Sequence, residues 1–207
     1  MQQKTYPIQF NIDYPDHKLN RLTTFFRIFS IIPIALILCL LVGSDIHWGT
    51  AAWRIGLASG AFLFFPILLM ILFRQKYPRW WFNWNVELVK FGYRVATYFL
   101  LMNDKYPSTD EEQWVHTELP YPDTKNGLNR WMPIVKWFLA IPHYICLWAV
   151  GIAVFIVEII AWFAILFTGN FPRSLFDFVQ GFLKWSLRVE AYAFLLLTNK
   201  YPPFSLE

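Results

Sequence analysis

The sequence predicts an all-α membrane protein made of two tandem repeats, each a transmembrane helical hairpin followed by an amphipathic interfacial helix. A short β-strand precedes each repeat. Three observations predict this class: only 15% of the 207 residues are charged, the apolar runs are long, and several phrases occur twice. Typical soluble domains contain about 25% charged residues. A soluble protein with an unusually apolar core is the alternative, which the length of the apolar runs disfavours.

Charge and aromatic content indicate a membrane rather than a nucleic-acid partner. The formal net charge is +4, and most Lys and Arg residues lie beside apolar runs, as expected near an anionic cytoplasmic leaflet. The 11 Trp and 10 Tyr residues are typical of bilayer interfaces. The stretch before the first apolar run is polar, so we expect no cleaved signal peptide. Cys39 and Cys146 lie inside apolar runs, and we expect neither a disulfide nor a redox role.

The first repeat is predicted over residues 6–107. Two apolar runs, about 24–43 and 52–73, are each close to the ~20 residues that cross a hydrocarbon core. The segment between them is nearly free of Lys and Arg, whereas basic residues cluster at the outer ends. The positive-inside rule therefore predicts that both ends of this hairpin face the cytoplasm. An acidic linker, 108–113, follows as a solvated connection.

The second repeat is predicted over residues 114–204, with crossings at about 131–149 and 152–168. This apolar run is too long for one crossing and short for two, so we expect a tight turn near Val150 and Gly151. One alternative stays open. The run can instead be a single long helix, bent at Pro142, whose first part lies along the interface, because proline kinks a helix without necessarily ending it.

A helix of another kind is predicted after each hairpin, at about 79–102 and 173–198. Polar side chains recur there at spacings of three and four on an otherwise apolar and aromatic sequence, which is typical of a helix lying in the membrane plane. The alternative is a third crossing helix whose polar stripe faces a bundle. The stripes consist of Arg79, Asn83, Glu87, Lys90 and Arg94, and of Arg173, Asp177, Gln180, Lys184 and Arg188.

Internal repetition supports this division of the chain. YPDHKLNR matches YPDTKNGLNR, KYPRWWFN matches NFPRSLFD, and the ending YFLLMNDKYP returns as AFLLLTNKYP. Pro33 then falls opposite Pro142. Because both modules start and end in the cytoplasm, we expect a two-fold axis along the membrane normal.

A short alternating stretch precedes each repeat. Ile8, Phe10 and Ile12 point one way along the first stretch, and Val115, Thr117 and Leu119 form its weaker counterpart. A lone strand would leave its edge unpaired. We therefore predict that the two strands pair with each other, antiparallel.

Motifs of ordinary enzymes are absent from the sequence. The four His residues are scattered, and there is no zinc-ligand pair, Gly-rich phosphate loop or serine elbow. We expect no enzymatic activity, cofactor or metal. The sharpest polar feature is Glu158, inside an apolar run, where an ionisable residue predicts a functional site. If the chain turns at Val150 and Gly151, His143 lies opposite Glu158 and the two form an intramembrane polar pair.

Two further groups of residues are candidates for contacts. Ala52, Gly56 and Gly60 form a small-residue ladder that allows close packing of another helix. Side chains at the predicted interface are candidates for lipid head-group contacts; these are Arg79, Trp80, Trp81, Trp84, Lys90, Arg94, Arg173, Lys184 and Arg188.

The second half also carries a family resemblance. The segments IPHYICLW and AWFAILFTGNFPRSLFDFVQGFLKWSLRVEAYAFLLLTNKYPPF resemble the bacterial membrane family DUF4389, a domain of unknown function. The resemblance covers roughly Tyr121 to Leu206, and the first half follows it more loosely through FNIDYPD and the KYP ending. It implies a bacterial integral membrane protein and brings no activity, cofactor or catalytic residue. Together with the apolar runs and the distribution of Lys and Arg, it leads us to expect a multi-pass protein of the bacterial inner membrane with both termini in the cytoplasm.

These observations lead to two functional expectations. The first is a membrane scaffold or accessory subunit that organises other membrane proteins or adjacent lipid, because the amphipathic helices are duplicated and no chemical motif is present. The alternative is a protein that binds or transports a lipid or small amphiphile between the two repeats. The expected partners are membrane lipids and other membrane proteins, not nucleic acid.

Overall fold

A computed structural model describes residues 6–42, 56–123 and 131–206, without the side chains of 56–64. The described residues are mostly helical and include a small two-stranded sheet. The all-α class and the small strands are therefore as predicted. The described residues do not show the two predicted transmembrane hairpins.

The two strands pair as predicted. β1, Gln9–Ile12, and β2, Val115–Glu118, are antiparallel. Phe10 lies opposite Thr117, so the apolar positions of both strands are buried on one face. Alternation sets this register because a slip by one residue would turn every buried side chain toward solvent.

The first apolar region is divided into three short helices. α1, Arg21–Phe25, begins after Asn20, whose side-chain oxygen accepts hydrogen bonds from the amides of Leu22 and Thr23. α2 is Arg27–Ser30 and α3 is Ile32–Val42. The single crossing predicted at 24–43 is thus interrupted. α3 reaches Val42, the last described residue before a gap in the described ranges.

The next two helices are an apolar one and an amphipathic one. α4 is Gly56–Arg74, with Pro66 inside it. α5 is Arg79–Phe99, a helix of 21 residues that follows Pro78. It ends about three residues earlier than predicted. The chain turns sharply after it, because Leu101 adopts a left-handed backbone conformation with φ of 56°.

The second apolar region contains no hairpin turn. α6 is Met132–Leu139, and α7 runs without interruption over the 28 residues Ile141–Thr168. The turn predicted at Val150 and Gly151 is therefore corrected, and a long helix is observed instead. The break comes at Ala140, two residues before Pro142, which has no N–H to continue the α6 ladder. Gly151 alone does not end a helix between apolar neighbours that disfavour a polar turn.

One described helical stretch is long and apolar enough to cross a membrane. This stretch comprises α6 and α7, and 17% of its most apolar window is buried inside the protein. A core helix of a soluble protein would be mostly buried. Most of this stretch is therefore exposed on the surface of the described structure.

α8, Arg173–Ala193, packs back along α7 after a four-residue connection. It also has 21 residues, follows Pro172, and is followed by a left-handed residue, Leu196, with φ of 55°. α8 lies between α7 on one side and β1 on the other. The described part of the molecule is thus layered: the sheet covers α5 and α8, and the apolar helices lie beyond them.

Candidate functional site

A mainly apolar cavity of about 590 Å³ lies between α5 and α8, below the sheet. α3, α4 and α7 complete its wall. A cavity of this size is in the range of about 300–1,000 Å³ that binds small molecules. The described lining residues include Leu38, Val42, Ile67, Leu88, Val89, Gly92, Tyr93, Ala96, Tyr144, Leu147, Leu183, Ser186, Val189, Glu190 and Phe194.

Tyr93 and Glu190 form the polar end of this cavity. The Tyr93 hydroxyl donates a hydrogen bond to Oε2 of Glu190 at 3.1 Å. Burial raises the pKa of Glu190, whereas the hydrogen bond from Tyr93 opposes that rise. Burial also raises the pKa of Tyr93 well above its ordinary value, so the phenol stays protonated and donates. The described lining contains no Lys or Arg to balance a negative charge on Glu190.

Gly92 leaves part of the cavity open. A Cβ atom built on this residue meets no heavy atom within 4 Å. Glycine weakens a helix interior by about 1 kcal/mol relative to alanine. Glycine at this position therefore enlarges the cavity but makes α5 less stable than alanine would.

Glu190 is not among the site residues predicted from the sequence, although the sequence carries a signal for it. The polar stripe of α8 passes through Lys184 and Arg188 and faces β1. Glu190 is two residues beyond Arg188, about 200° around the helix axis. An isolated carboxylate on the apolar face of an amphipathic helix is the pattern that identifies it. Tyr93 gives no such signal, since aromatic residues are frequent throughout α5.

His143 and Glu158, the predicted polar pair, are not brought together. Both lie on α7, and the 15 positions between them correspond to about 22 Å. The two side chains could face each other only if the chain turned at Val150 and Gly151, and α7 is continuous there. Neither residue lines the cavity.

His143 is fully buried in an aromatic cluster instead. Its Nδ1 accepts a hydrogen bond from Nε1 of Trp185 at 3.1 Å. The ring of Phe204 stacks on it with centroids 3.9 Å apart, and Tyr201 lies 4.8 Å away. This contact network fastens the C-terminal segment to α7 and α8, which is a structural role.

Glu158 has a different neighbour from the predicted one. Arg27 of α2 lies close enough to act on its carboxylate electrostatically, though the pair makes no ion pair within 4 Å among the described contacts. Arg27 Nη1 donates to the carbonyl oxygens of Tyr98 and Asn103, at 3.0 and 2.5 Å. The guanidinium is therefore held mainly by the turn that ends α5.

The two arginines at the ends of the predicted stripes bind protein rather than head groups. Arg94 is buried and donates to the carbonyls of Ser108 and Thr109. Arg188 is buried as well and donates to the carbonyl of Ser205 at 3.4 Å. Each arginine thus holds the segment that follows the KYP ending.

The other basic candidates lie nearer to the surface. Arg79 lies over the ring of Tyr121, and Arg173 over the ring of Tyr14, with centroid distances of 5.4 and 4.7 Å. Arg173 also pairs with Asp177 at 3.2 Å. Lys90 pairs with Glu87 at 3.0 Å, and Lys184 lines a polar groove between α8 and β1.

The tryptophan candidates differ in exposure, and the helix-packing candidates are not described. Trp80 and Trp84 are exposed, whereas Trp81 is partly buried between them. Ala52 lies outside the described residues. Gly56 and Gly60 lie in the part of α4 whose side-chain surroundings are not described either.

Comparison with known proteins gives a family match over part of the chain and no activity. Within the described ranges, no group of three His, Cys, Asp or Glu residues is arranged to hold a metal ion. The chain matches no curated protein and no solved structure. Residues 130–205, which include α6, α7, α8 and the segment that packs on His143, match the family described as a domain of unknown function, DUF4389.

Proposed function

We propose that this protein binds a lipid or other small amphiphile in the cavity between α5 and α8. The observation that carries the proposal is the cavity itself: a mainly apolar space whose wall includes a few polar side chains, the Tyr93–Glu190 pair, Asn85 and Ser186. Ligand sites are typically apolar clefts with few, well-positioned polar groups. The exposed apolar surface of α7 supports a membrane location, where such ligands are concentrated.

We also propose that the two halves of the chain are copies of one module around a two-fold axis. Reciprocal contacts support this. The hydroxyl of Tyr14 donates to the carbonyl of Phe171, and that of Tyr121 donates to the carbonyl of Tyr77. Each tyrosine belongs to the YPD phrase of one half of the chain. The carbonyl that accepts its hydrogen bond belongs to the FPR or YPR turn of the other half. The cavity would then lie near this axis. In the alignment of the two halves Glu190 corresponds to Ala96, so only the second half contributes a carboxylate to the cavity.

The polar end of the cavity favours a ligand whose head group donates hydrogen bonds. Oε2 of Glu190 accepts from Tyr93, and the other oxygen receives no hydrogen bond from any described group. A protonated amine would satisfy that oxygen and supply the missing positive charge. Hydrogen bonds to charged groups contribute about 1.5–3 kcal/mol. We therefore expect amines to bind more tightly than alcohols or carboxylates of equal chain length.

Filling the cavity tests the proposal. Gly92→Leu adds a side chain where no heavy atom lies within 4 Å of the new Cβ. We expect the full chain, held in amphipol, to lose affinity for dodecylamine about tenfold or more in calorimetric titrations, a change of about 1.4 kcal/mol. Gly151→Ala is the matched control, a helical glycine outside the cavity whose Cβ would make ordinary contact with Phe182 at 3.9 Å. Equal affinity in the Leu variant and the wild type would disprove binding in this cavity.

A second variant tests the head-group preference separately. Glu190→Gln keeps the shape and removes the charge, so affinity for dodecylamine should fall while affinity for dodecanol stays close to that of the wild type. An unchanged order of dodecylamine, dodecanol and dodecanoate would leave the cavity proposal intact and remove the role of Glu190.

The scaffold function is the second candidate. The exposed aromatic residues Trp148, Phe155 and Phe167 on α7 favour it, because a neighbouring membrane protein would bury them. Gentle extraction from the native membrane into polymer-bounded lipid discs tests this idea. A single chain recovered with lipid alone would count against a scaffold.

A further inference from the structure

Exposed apolar side chains are concentrated on the helices farthest from the sheet, although α5 also exposes Trp80, Trp84 and Phe99. Among the described residues, β1, β2 and α8 expose no large apolar side chain. The outer face of the sheet presents Gln9, Asn11 and Glu118 to solvent. α7, two layers away, exposes ten large apolar side chains: Ile141, Ile145, Trp148, Ile152, Phe155, Ile156, Ile159, Ile160, Phe163 and Phe167.

The C-terminal end of α7 is tied to one end of the segment that contains β1. Tyr14, two residues after this strand, donates its hydroxyl to the carbonyl of Phe171 at 2.5 Å. The amide of Leu19 donates to the carbonyl of Gly169, which follows α7, at 2.8 Å. The polar segment after β1 therefore lies against the end of the apolar helix.

The N-terminal end of α7 is tied to the other end of the same segment. Tyr6 donates its hydroxyl to the carbonyl of Lys200 at 3.2 Å. The next residue, Tyr201, donates to the carbonyl of Leu139, two residues before α7 begins, at 3.1 Å. Extended chain from Tyr6 to Tyr14 covers about 26 Å. The strand segment thus runs beside α7 over much of the helix length, which is about 42 Å.

The position of the sheet beside α7 limits how this helix can lie in a membrane. If α7 crossed the bilayer, the sheet would lie at the depth of the hydrocarbon core. A two-stranded sheet has two open edges, and open edges do not occur against lipid, because their N–H and C=O groups would find no partner there. The polar outer face of the sheet would add further cost.

We infer that the protein lies in a single leaflet, with α7 parallel to the membrane plane and the sheet in water. The partner of the exposed face of α3, α6 and α7 is then the acyl-chain region of one monolayer. A helix is about 10 Å across and a leaflet core about 15 Å deep, so one apolar layer of helices fits. In this orientation the polar strands stay in water, so no free energy is spent on placing them in the hydrocarbon core. The long apolar helix α7 is buried in lipid without crossing the bilayer.

Cysteine labelling distinguishes this arrangement from a crossing helix. In a background with Cys39→Ala and Cys146→Ala, the exposed positions Asn170 and Pro203 near the two ends of α7 are changed to cysteine one at a time. The full chain is then inserted in vesicles of one orientation. Both positions should react with a membrane-impermeant maleimide from the same side as Gln9→Cys. Reaction from opposite sides would overturn the inference.

Depth measurements give an independent readout. Spin labels at Trp148, Ile152, Phe155, Ile159 and Phe163 should all show strong relaxation by oxygen, weak relaxation by a water-soluble nickel complex, and similar depths. A crossing helix would instead give depths that pass through the bilayer centre and return to the interface. Low accessibility to both relaxants would mean that a protein covers the face, which would also contradict the inference.

Discussion

The ammonium group of Lys136 donates a hydrogen bond to the carbonyl oxygen of Thr198 at 2.7 Å, across 62 positions of the sequence. Lys136 is fully buried and lies over the ring of Tyr192 at 5.2 Å. Arg27 makes the corresponding contacts at the end of α5. A cation at a helix C-terminus satisfies carbonyls that have no partner in the helix and interacts favourably with the helix dipole.

Lys136→Met tests the importance of this contact. The substitution keeps an unbranched side chain and leaves the partly buried carbonyl of Thr198 without its donor, which costs about 1 kcal/mol. We expect the free energy of unfolding in detergent to fall by about 1 kcal/mol. Lys105→Met is the control, since Lys105 is exposed. Equal unfolding free energies for the two variants would show that the lysine contributes little.

Gly181 permits the C-terminal segment to pack on α8. A Cβ atom here would lie 2.6 Å from the carbonyl oxygen of Leu206, which is too close for backbone atoms to tolerate. We expect Gly181→Ala to displace the segment and to increase hydrogen exchange and proteolysis over 201–206. Gly151→Ala should leave both unchanged. A protected C-terminal segment in the Gly181 variant would mean that the backbone shifts without loss of packing.

The part of the fold that sequence could predict is the part governed by local patterns. Alternation predicted the strands and their pairing, and polar spacing predicted α5 and α8. The interruption at Ala140 follows from Pro142, which the sequence records, but no local pattern decided between a turn at Gly151 and one continuous helix. Arg188 shows the same limit. Its spacing placed it on a polar stripe, but the C-terminal segment folds back over it.

The hydrogen bond from Trp185 assigns the tautomer of His143. Nδ1 accepts the indole proton, so the neutral ring carries its own proton on Nε2. Nitrogen-15 spectra should show this tautomer in the wild type. Trp185→Phe removes the donor while keeping an aromatic ring, and it should produce a mixture of tautomers. A wild-type ring protonated on Nδ1 would contradict the observed hydrogen bond.

His116 connects the end of β1 to the linker and makes the sheet sensitive to pH. Its Nε2 lies 2.8 Å from Oδ2 of Asp13, and Nδ1 lies 3.3 Å from Oε1 of Glu112. The hydrogen bond to Asp13 is the main cause that raises the pKa of His116 above 6.5, and Glu112 adds to it. A raised histidine pKa in the folded state means that the stabilisation is complete below the unfolded pKa, about 6.5. It is lost as pH rises through the folded pKa.

Asp13→Asn should therefore lower the pKa of His116 toward its ordinary value and remove part of the stabilisation at acid pH, with little change above the folded pKa. Proton NMR titration of the imidazole Cε1–H, together with unfolding measured on both sides of the transition, checks both effects. Asp16→Asn is the matched control, because Asp16 makes no hydrogen bond to His116 among the described contacts. An unchanged His116 pKa in the Asp13 variant, or an equal shift in the control, would show that general charge rather than this hydrogen bond sets the titration.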